Sequence, residues 1–278
     1  MTAIDATTGL PLQHFLAPLS AADPYPSVGE DRAGHEAITT LPPAVIDTWM
    51  SEVAHNHPDM EAKTRAAYLI GHIAWTFGIN LGAMRVAGHG LPDIDAAALA
   101  AAPQWYHWEE GEESGESLRF TLRLLASPDA AHRALDADGI RALVVAAHAP
   151  LIEALFAMTQ LGRSAMWRLV ADGVAASWLS VGKRVGREAE AMRDANAIIH
   201  APGSPLANKQ ISFVEIVVRD ETQQPMACEW FRARGGCCRY YTTEKSAGEY
   251  CTTCVLRPAE SRDQRLQDYV MDKLRTSA

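Results

Sequence analysis

Between Arg65 and Arg85 the chain runs nineteen residues, AAYLIGHIAWTFGINLGAM, without a charge. A helix of that length can span a bilayer or run through the middle of a large core. Two features favour the core. His72 and Asn80 would be costly in hydrocarbon, and Gly71, Gly78 and Gly82 suit close packing of one helix on another. No second segment of this kind stands out. The stretch reads as a buried central helix, around which 278 residues, 48% of them hydrophobic, can build one large domain or two unequal ones.

The flanks place the other elements. Residues 1–40 mix Pro, Gly and Asp with short apolar runs and read as an irregular arm over the surface, with no site expected there. Pro42 and Pro43 signal a helix start, with Val45, Ile46, Trp49 and Val53 on one face. After Gly88 and Gly90 a short Ala-rich helix is expected, then two strand-like stretches about an acidic loop. In the second, Leu118, Phe120, Leu122 and Leu124 alternate with Arg119, Thr121 and Arg123, so the two arginines point together away from the core. Residues 137–200 carry helical periods broken near Pro150, Gly162 and Gly186. ISFVEIVVRD and PMACEWFRAR then bracket a turn, and Leu266, Tyr269, Val270 and Leu274 mark a terminal helix. The expected fold is α+β, mostly helical, with a small antiparallel sheet whose last hairpin leads into a cysteine-rich loop. It divides into an arm (1–40), a mainly helical domain (41–222) and a C-terminal region (223–278).

A net charge of -9 argues against nucleic acid as a partner, because no general attraction to phosphate is present. The first twenty residues lack the basic head and apolar run of a secretory signal, so a cytoplasmic address with at most peripheral membrane association is expected. In that compartment clustered thiols are more often metal ligands or redox groups than disulfides. Four of the five cysteines fall in FRARGGCCRYYTTEKSAGEYCTTCVLRP, as Cys237-Cys238, twelve residues, then Cys251-x2-Cys254. The two-residue gap lets one turn offer two thiolates to a metal. Adjacent cysteines converge only where the backbone bends, which Gly235 and Gly236 permit. A zinc site usually takes two spaced pairs, and a thioredoxin-like pair would open a helix where this one stops before Pro258. Spacing alone leaves zinc and an iron–sulfur cluster equally open.

The set Arg234, Cys237, Cys238, Tyr240, Cys251 and Cys254 resembles the C-terminal signature of the FhuF-like ferric siderophore reductases. AMWRLVADGVAASW, residues 165–178, is similar in outline to the tryptophan-bearing helix of that family's helical domain. The likeness is close over residues 228–258 and general from about residue 60, with a spacer somewhat longer than expected and Val255 where the family often has proline. It implies a [2Fe–2S] cluster on Cys237, Cys238, Cys251 and Cys254, and one-electron reduction of ferric iron in a siderophore, commonly a hydroxamate. Beyond the ligands no catalytic residue is expected. No G-x-G-x-x-G follows a strand, so the electron is expected from a protein partner such as a ferredoxin or a flavin reductase. The alternatives are a zinc-stabilised binding protein related to siderophore synthetases and an iron–sulfur redox sensor.

Further expectations surround the loop. Gly235 and Gly236 are candidates for amides that tune the cluster. Arg232, Arg234, Arg239 and Arg257 form a candidate basic docking patch. Trp230, Tyr240, Tyr241 and Tyr250 are expected to shield the cluster or to wall a chelate, which Arg119 and Arg123 are also placed to meet. Cys228, outside the motif, reads as a buried small hydrophobe. His55, His57, His72, His89, His107 and His200 show no i, i+4 metal pair.

Overall fold

The computed structural model describes residues 27–86, 91–92, 94–110, 113–127, 132–133 and 136–277. Among these the fold is α+β. Its helices are α1 (Pro43–Val53), α2 (Ala62–Val86), α3 (Ala137–Thr159), α4 (Arg163–Val185), α5 (Glu188–Ile199) and α6 (Ala259–Ser277). Its strands are β1 (Ser27–Gly29), β2 (Glu36–Ala37), β3 (Leu91–Pro92), β4 (Leu99–Glu110), β5 (Glu113–Leu125), β6 (His132–Arg133), β7 (Ser212–Arg219) and β8 (Pro225–Ala233).

The uncharged run is α2, and it lies in the core as its composition requires. Ile70, Ile73, Ala74 and Phe77 have no exposed surface. Its small residues interlock with α4: a Cβ on Gly78 would fall 2.0 Å from Ser177 Oγ, and one on Gly173 2.6 Å from Ala74 Cβ. That backbone approach is what the glycines on both helices make possible. Asn80, costly if unpaired, donates to the Thr76 carbonyl at 2.8 Å.

By length and apolarity, α3 rather than α2 is the one helix among the described residues able to cross a membrane; 44% of its apolar stretch is buried. Asp136 caps its start, accepting from Gly139 N–H at 2.7 Å, and Gln160 ends it in the left-handed region. Pro150 therefore does not break the helix, contrary to the sequence expectation. The ring removes one backbone bond while packing carries the helix through.

The main sheet runs β1-β5-β4-β2, antiparallel except for the β1–β5 pair. Phe120, Leu122 and Leu124 of β5 are buried as their alternation predicts. The expected Ala-rich helix is instead a short 3-10 turn (Ala96–Ala98) followed by β4. Leu99, Ala100 and Ala101 pair with Leu124, Arg123 and Leu122 and are fully buried, so sheet pairing overrides alanine's helix preference. The arm is likewise partly internal. Residues 27–29 and 36–37 join the sheet and Ile38 is fully buried, while residues 1–26, Gly88, His89 and Gly90 lie outside the described residues.

The second hairpin, β7–β8, forms as expected. Leu266 and Val270 of α6 close over Ile216 and Val218 in a small apolar cluster of their own, with Phe231 at its margin. From Arg234 to Pro258 the chain has only 3-10 turns and bends, and it folds back against α2 and α4.

Candidate metal centre and the adjoining cavity

The cysteine loop is fixed to the helices by Asp172. This aspartate sits in the middle of α4 with its side chain 2% exposed. One carboxylate oxygen accepts the Gly235 N–H and the other the Gly236 N–H, both at 2.9 Å. Arg232 Nη1 stands 3.4 Å from Oδ1, and Arg234 Nε 3.6 Å from Oδ2. A buried carboxylate survives only with such compensation. The glycines are needed because a Cβ on Gly235 would fall 2.4 Å from Asn208 Nδ2 and Ile211 Cγ1, and one on Gly236 would crowd the backbone of Arg168 and Leu169. Their amides thus serve the carboxylate and not the sulfurs, which corrects the tuning role expected for them.

All five cysteines are free. Each of the four in the motif receives at least one N–H. Arg239 N–H, on a residue at φ 62, points to Cys237 Sγ at 3.4 Å, and Leu256 N–H to Cys254 Sγ at 3.5 Å. Arg234 Nη1 serves two, lying 3.5 Å from Cys238 Sγ and 3.7 Å from Cys251 Sγ. The two halves of the motif are joined by Arg234 N–H to the Thr253 carbonyl at 3.2 Å. The Cys251 thiol is pulled down to about 7 by its hydrogen bond with Cys238 and by the Arg234 guanidinium, while that same contact, with burial, pushes Cys238 up.

Four thiol donors, each already met by an N–H, with a guanidinium between two of them, are chemically suited to an anionic iron–sulfur group. Among the described residues no three His, Cys, Asp or Glu side chains converge to metal-binding separation. The fit is one of donor chemistry and hydrogen bonding.

The expected basic patch is not a surface patch. Arg232 and Arg234 are turned in on Asp172. Arg239 holds Glu61 and Thr64 at the start of α2, and Arg257 binds the carbonyls of Cys251 and Tyr250. These cations hold the loop closed, because a segment without ladders must satisfy its backbone through side chains. Cys228 corrects a second expectation. It is exposed, on the face of β8 turned from α6, and donates to Glu215 at 3.5 Å. Strand alternation that buries Phe231 toward α6 puts Cys228 outside.

Beside the loop lies a cavity of about 570 Å³, bounded by α2, the β4–β5 hairpin, α4 and β8. Cys238 forms part of its wall. Trp230, Tyr240, Tyr241 and Tyr250 do not line it; the aromatic wall comes from Tyr68, Trp75, Tyr106 and Phe120. Burial pushes the Tyr68 phenol far above its ordinary range, so it stays protonated. Of the two sheet arginines, Arg119 lines the cavity and lies over the Tyr106 ring, whereas Arg123 clamps Asp31 at 2.6 Å near β1. The histidines disperse. His72 lines the cavity, His55 packs edge-on to Trp105, His57 edge-on to Tyr240, His107 faces Glu109 and His200 ends α5.

Asp172 is the residue that sequence reasoning missed. A signal existed, since a carboxylate inside the apolar, alanine-rich stretch of residues 169–181 must find a cation or amide partner. No protein-family model, curated protein or solved structure matches the chain.

Proposed function

We propose that this chain reduces ferric iron held in a siderophore, one electron at a time, through a [2Fe–2S] group on Cys237, Cys238, Cys251 and Cys254. The observation that carries the proposal is the double position of Cys238: it belongs to the set of four N–H-supported sulfurs and also stands in the wall of the cavity. The motif's resemblance to the FhuF-like reductases supports the same reading, with a hydroxamate as the chelate class it implies. A [2Fe–2S] group bound there supplies a one-electron carrier.

The chain's own residues supply position and charge. Asp172 holds the Gly235–Gly236 turn against α4, and Arg234 places a cation between two of the sulfurs, which favours the more negative, reduced state. Phe120 and Trp75 give the cavity an apolar surface in which a bulky chelate sheds water. In the substrate, one electron lowers the charge on iron and loosens its bonds to hard oxygen donors. The electron comes from a partner, a reduced ferredoxin or flavin reductase, and the iron is released in the cytoplasm.

Anaerobically purified protein is expected to be red-brown, to contain iron and acid-labile sulfide in equal amounts, and to bleach with dithionite. Serine at any of the four motif positions should abolish the colour. Reduced protein mixed with a ferric hydroxamate and a ferrous trap should reoxidise with matching ferrous production. Colourless protein holding stoichiometric zinc would replace this reading with that of a zinc-stabilised binding protein. A coloured protein indifferent to every chelate would make it a redox sensor.

A further inference from the structure

We infer that the cavity between α2, the β4–β5 hairpin, α4 and β8 receives a metal chelate that bears aromatic rings. The inference rests on the reductase reading for the metal and deepens it by naming what the chelator carries.

Phe, Trp and Tyr make up 7% of the chain, yet four of them, Tyr68, Trp75, Tyr106 and Phe120, meet on this one wall together with the His72 imidazole. They come from three elements, α2, β4 and β5, so the grouping is made by the fold and not by one local run. His72 lies 6.5 Å from Tyr68 at 43° and 6.2 Å from Phe120 at 48°, tilted to both. Rings at such angles do not close on one another face to face, and a further ring gains an edge or a face from them that an aliphatic group does not.

Gly71 leaves the room. It sits on α2 among Tyr68, His72 and Trp75 and lines the cavity, yet a Cβ added there would meet nothing within 4 Å. Gly78 and Gly82 of the same helix differ, since a Cβ on either would strike Ser177 or Trp178 of α4. Helix packing therefore explains those two and not Gly71, whose missing side chain costs helix stability and keeps a gap among the rings.

The same wall offers unused polar groups. Among the described residues neither the Tyr68 hydroxyl nor the His72 ring has a hydrogen-bond partner, and burial keeps both uncharged near neutral pH. They lie one turn apart on α2, at the spacing that places side chains on one face. Uncharged donors and acceptors beside a gap walled by rings match a ligand whose rings carry oxygen, such as an aryl hydroxamate or a phenol-bearing chelate. The volume, about 570 Å³, lies within the range of about 300–1,000 Å³ usual for small-molecule sites.

Chromium(III) complexes test this, because they exchange their ligands slowly and so reach the protein intact. The purified protein is titrated by calorimetry with two neutral complexes, chromium tris(benzohydroxamate) and chromium tris(cyclohexanecarbohydroxamate), which share charge and donor atoms, are close in size and differ in the ring alone. The aryl complex should bind about tenfold more tightly. Gly71→Leu should weaken both at least about tenfold while raising the thermal midpoint, because leucine suits a helix better than glycine and fills the gap. Tyr106→Leu should weaken the aryl complex several-fold and leave the saturated one within about twofold. Thermal midpoints show whether each variant is folded, and the two affinities of the unaltered protein decide the matter if neither is. Equal affinity, tighter binding of the saturated complex, or undiminished binding to Gly71→Leu would overturn the inference and leave the reductase reading standing. Failure of both complexes to bind would overturn it too. Colourless zinc protein that still prefers the aryl complex would retain this site and discard the reductase reading.

Discussion

Asp172 and Gly173 are neighbours in α4, and they hold two regions of the molecule by opposite means. Gly173 meets α2 with nothing but hydrogen, letting the two helices approach until a methyl group would collide with Ala74. Asp172 meets the cysteine loop with a full charge, shared between two amides and two guanidinium groups. The first contact depends on shape and apolar burial, which tolerate changes of pH and salt. The second depends on a completed set of partners, in which one loss strands the rest. A loop without ladders relies on such polar contacts, with Arg239 on Glu61 and Glu244 N–H on Asp59 adding to them, and Arg234 of the Asp172 set also serves two of its sulfurs.

The comparison is broken most severely at the charge. Asp172→Ala should cost about 3–5 kcal/mol in chemical denaturation, because it strands buried Arg232 and Arg234, and under the proposed function the purified protein should also lose its iron. Retention of full stability and iron would show that the loop is held from elsewhere.

The helical core has acid-sensitive points of its own, His72 of α2, whose pKa burial lowers, and His148, and they sharpen the contrast. His148 of α3 is fully buried and edge-on to Phe77; its Nδ1 lies 2.7 Å from the Val144 carbonyl, and Nε2 has no partner. Burial pushes its pKa down to about 4, against an ordinary value near 6.5. Above pH ~6.5 both folded and unfolded chains hold it neutral and nothing is lost. As pH falls from there toward 4, the unfolded chain takes up a proton that the folded one refuses, so stability drops by up to about 3 kcal/mol. His148→Leu should flatten that part of the stability–pH curve; an unchanged slope would assign it to other groups.

The smallest effect is expected at the packing contact. Gly173→Ala places a methyl 2.6 Å from Ala74 Cβ and 2.9 Å from its backbone carbon, which should cost about 1–3 kcal/mol of stability. The iron content and visible spectrum that the proposed function expects should stay unchanged. A variant that lost iron at this position would show that helix packing and the loop are one cooperative unit, and the contrast drawn between them would fall.

Much of the architecture could be read from residue order. The buried face of α1, the buried run of α2, the alternation along β5, the β7–β8 hairpin and the terminal helix all follow from local periodicity, which each segment carries by itself. The candidate site was legible only as a set of sulfurs. That Gly235 and Gly236 would face a carboxylate sixty-odd positions earlier, that Arg232 and Arg234 would turn inward, and that Cys228 would face out depend on where β8 meets α4 and α6.

Sequence by itself therefore determined most of the kinds of element, the Ala-rich stretch before β4 excepted, and the grouping of four thiols within eighteen positions, since periodicity and spacing are properties of a short stretch. Tertiary structure alone decided that Leu99–Ala101 pair as strand, that Asp172 anchors the loop, and that Arg119 and Arg232 both line a cavity beside Cys238. The reason is that burial and charge pairing are set by residues distant in the chain, and their energies exceed the local preferences they override.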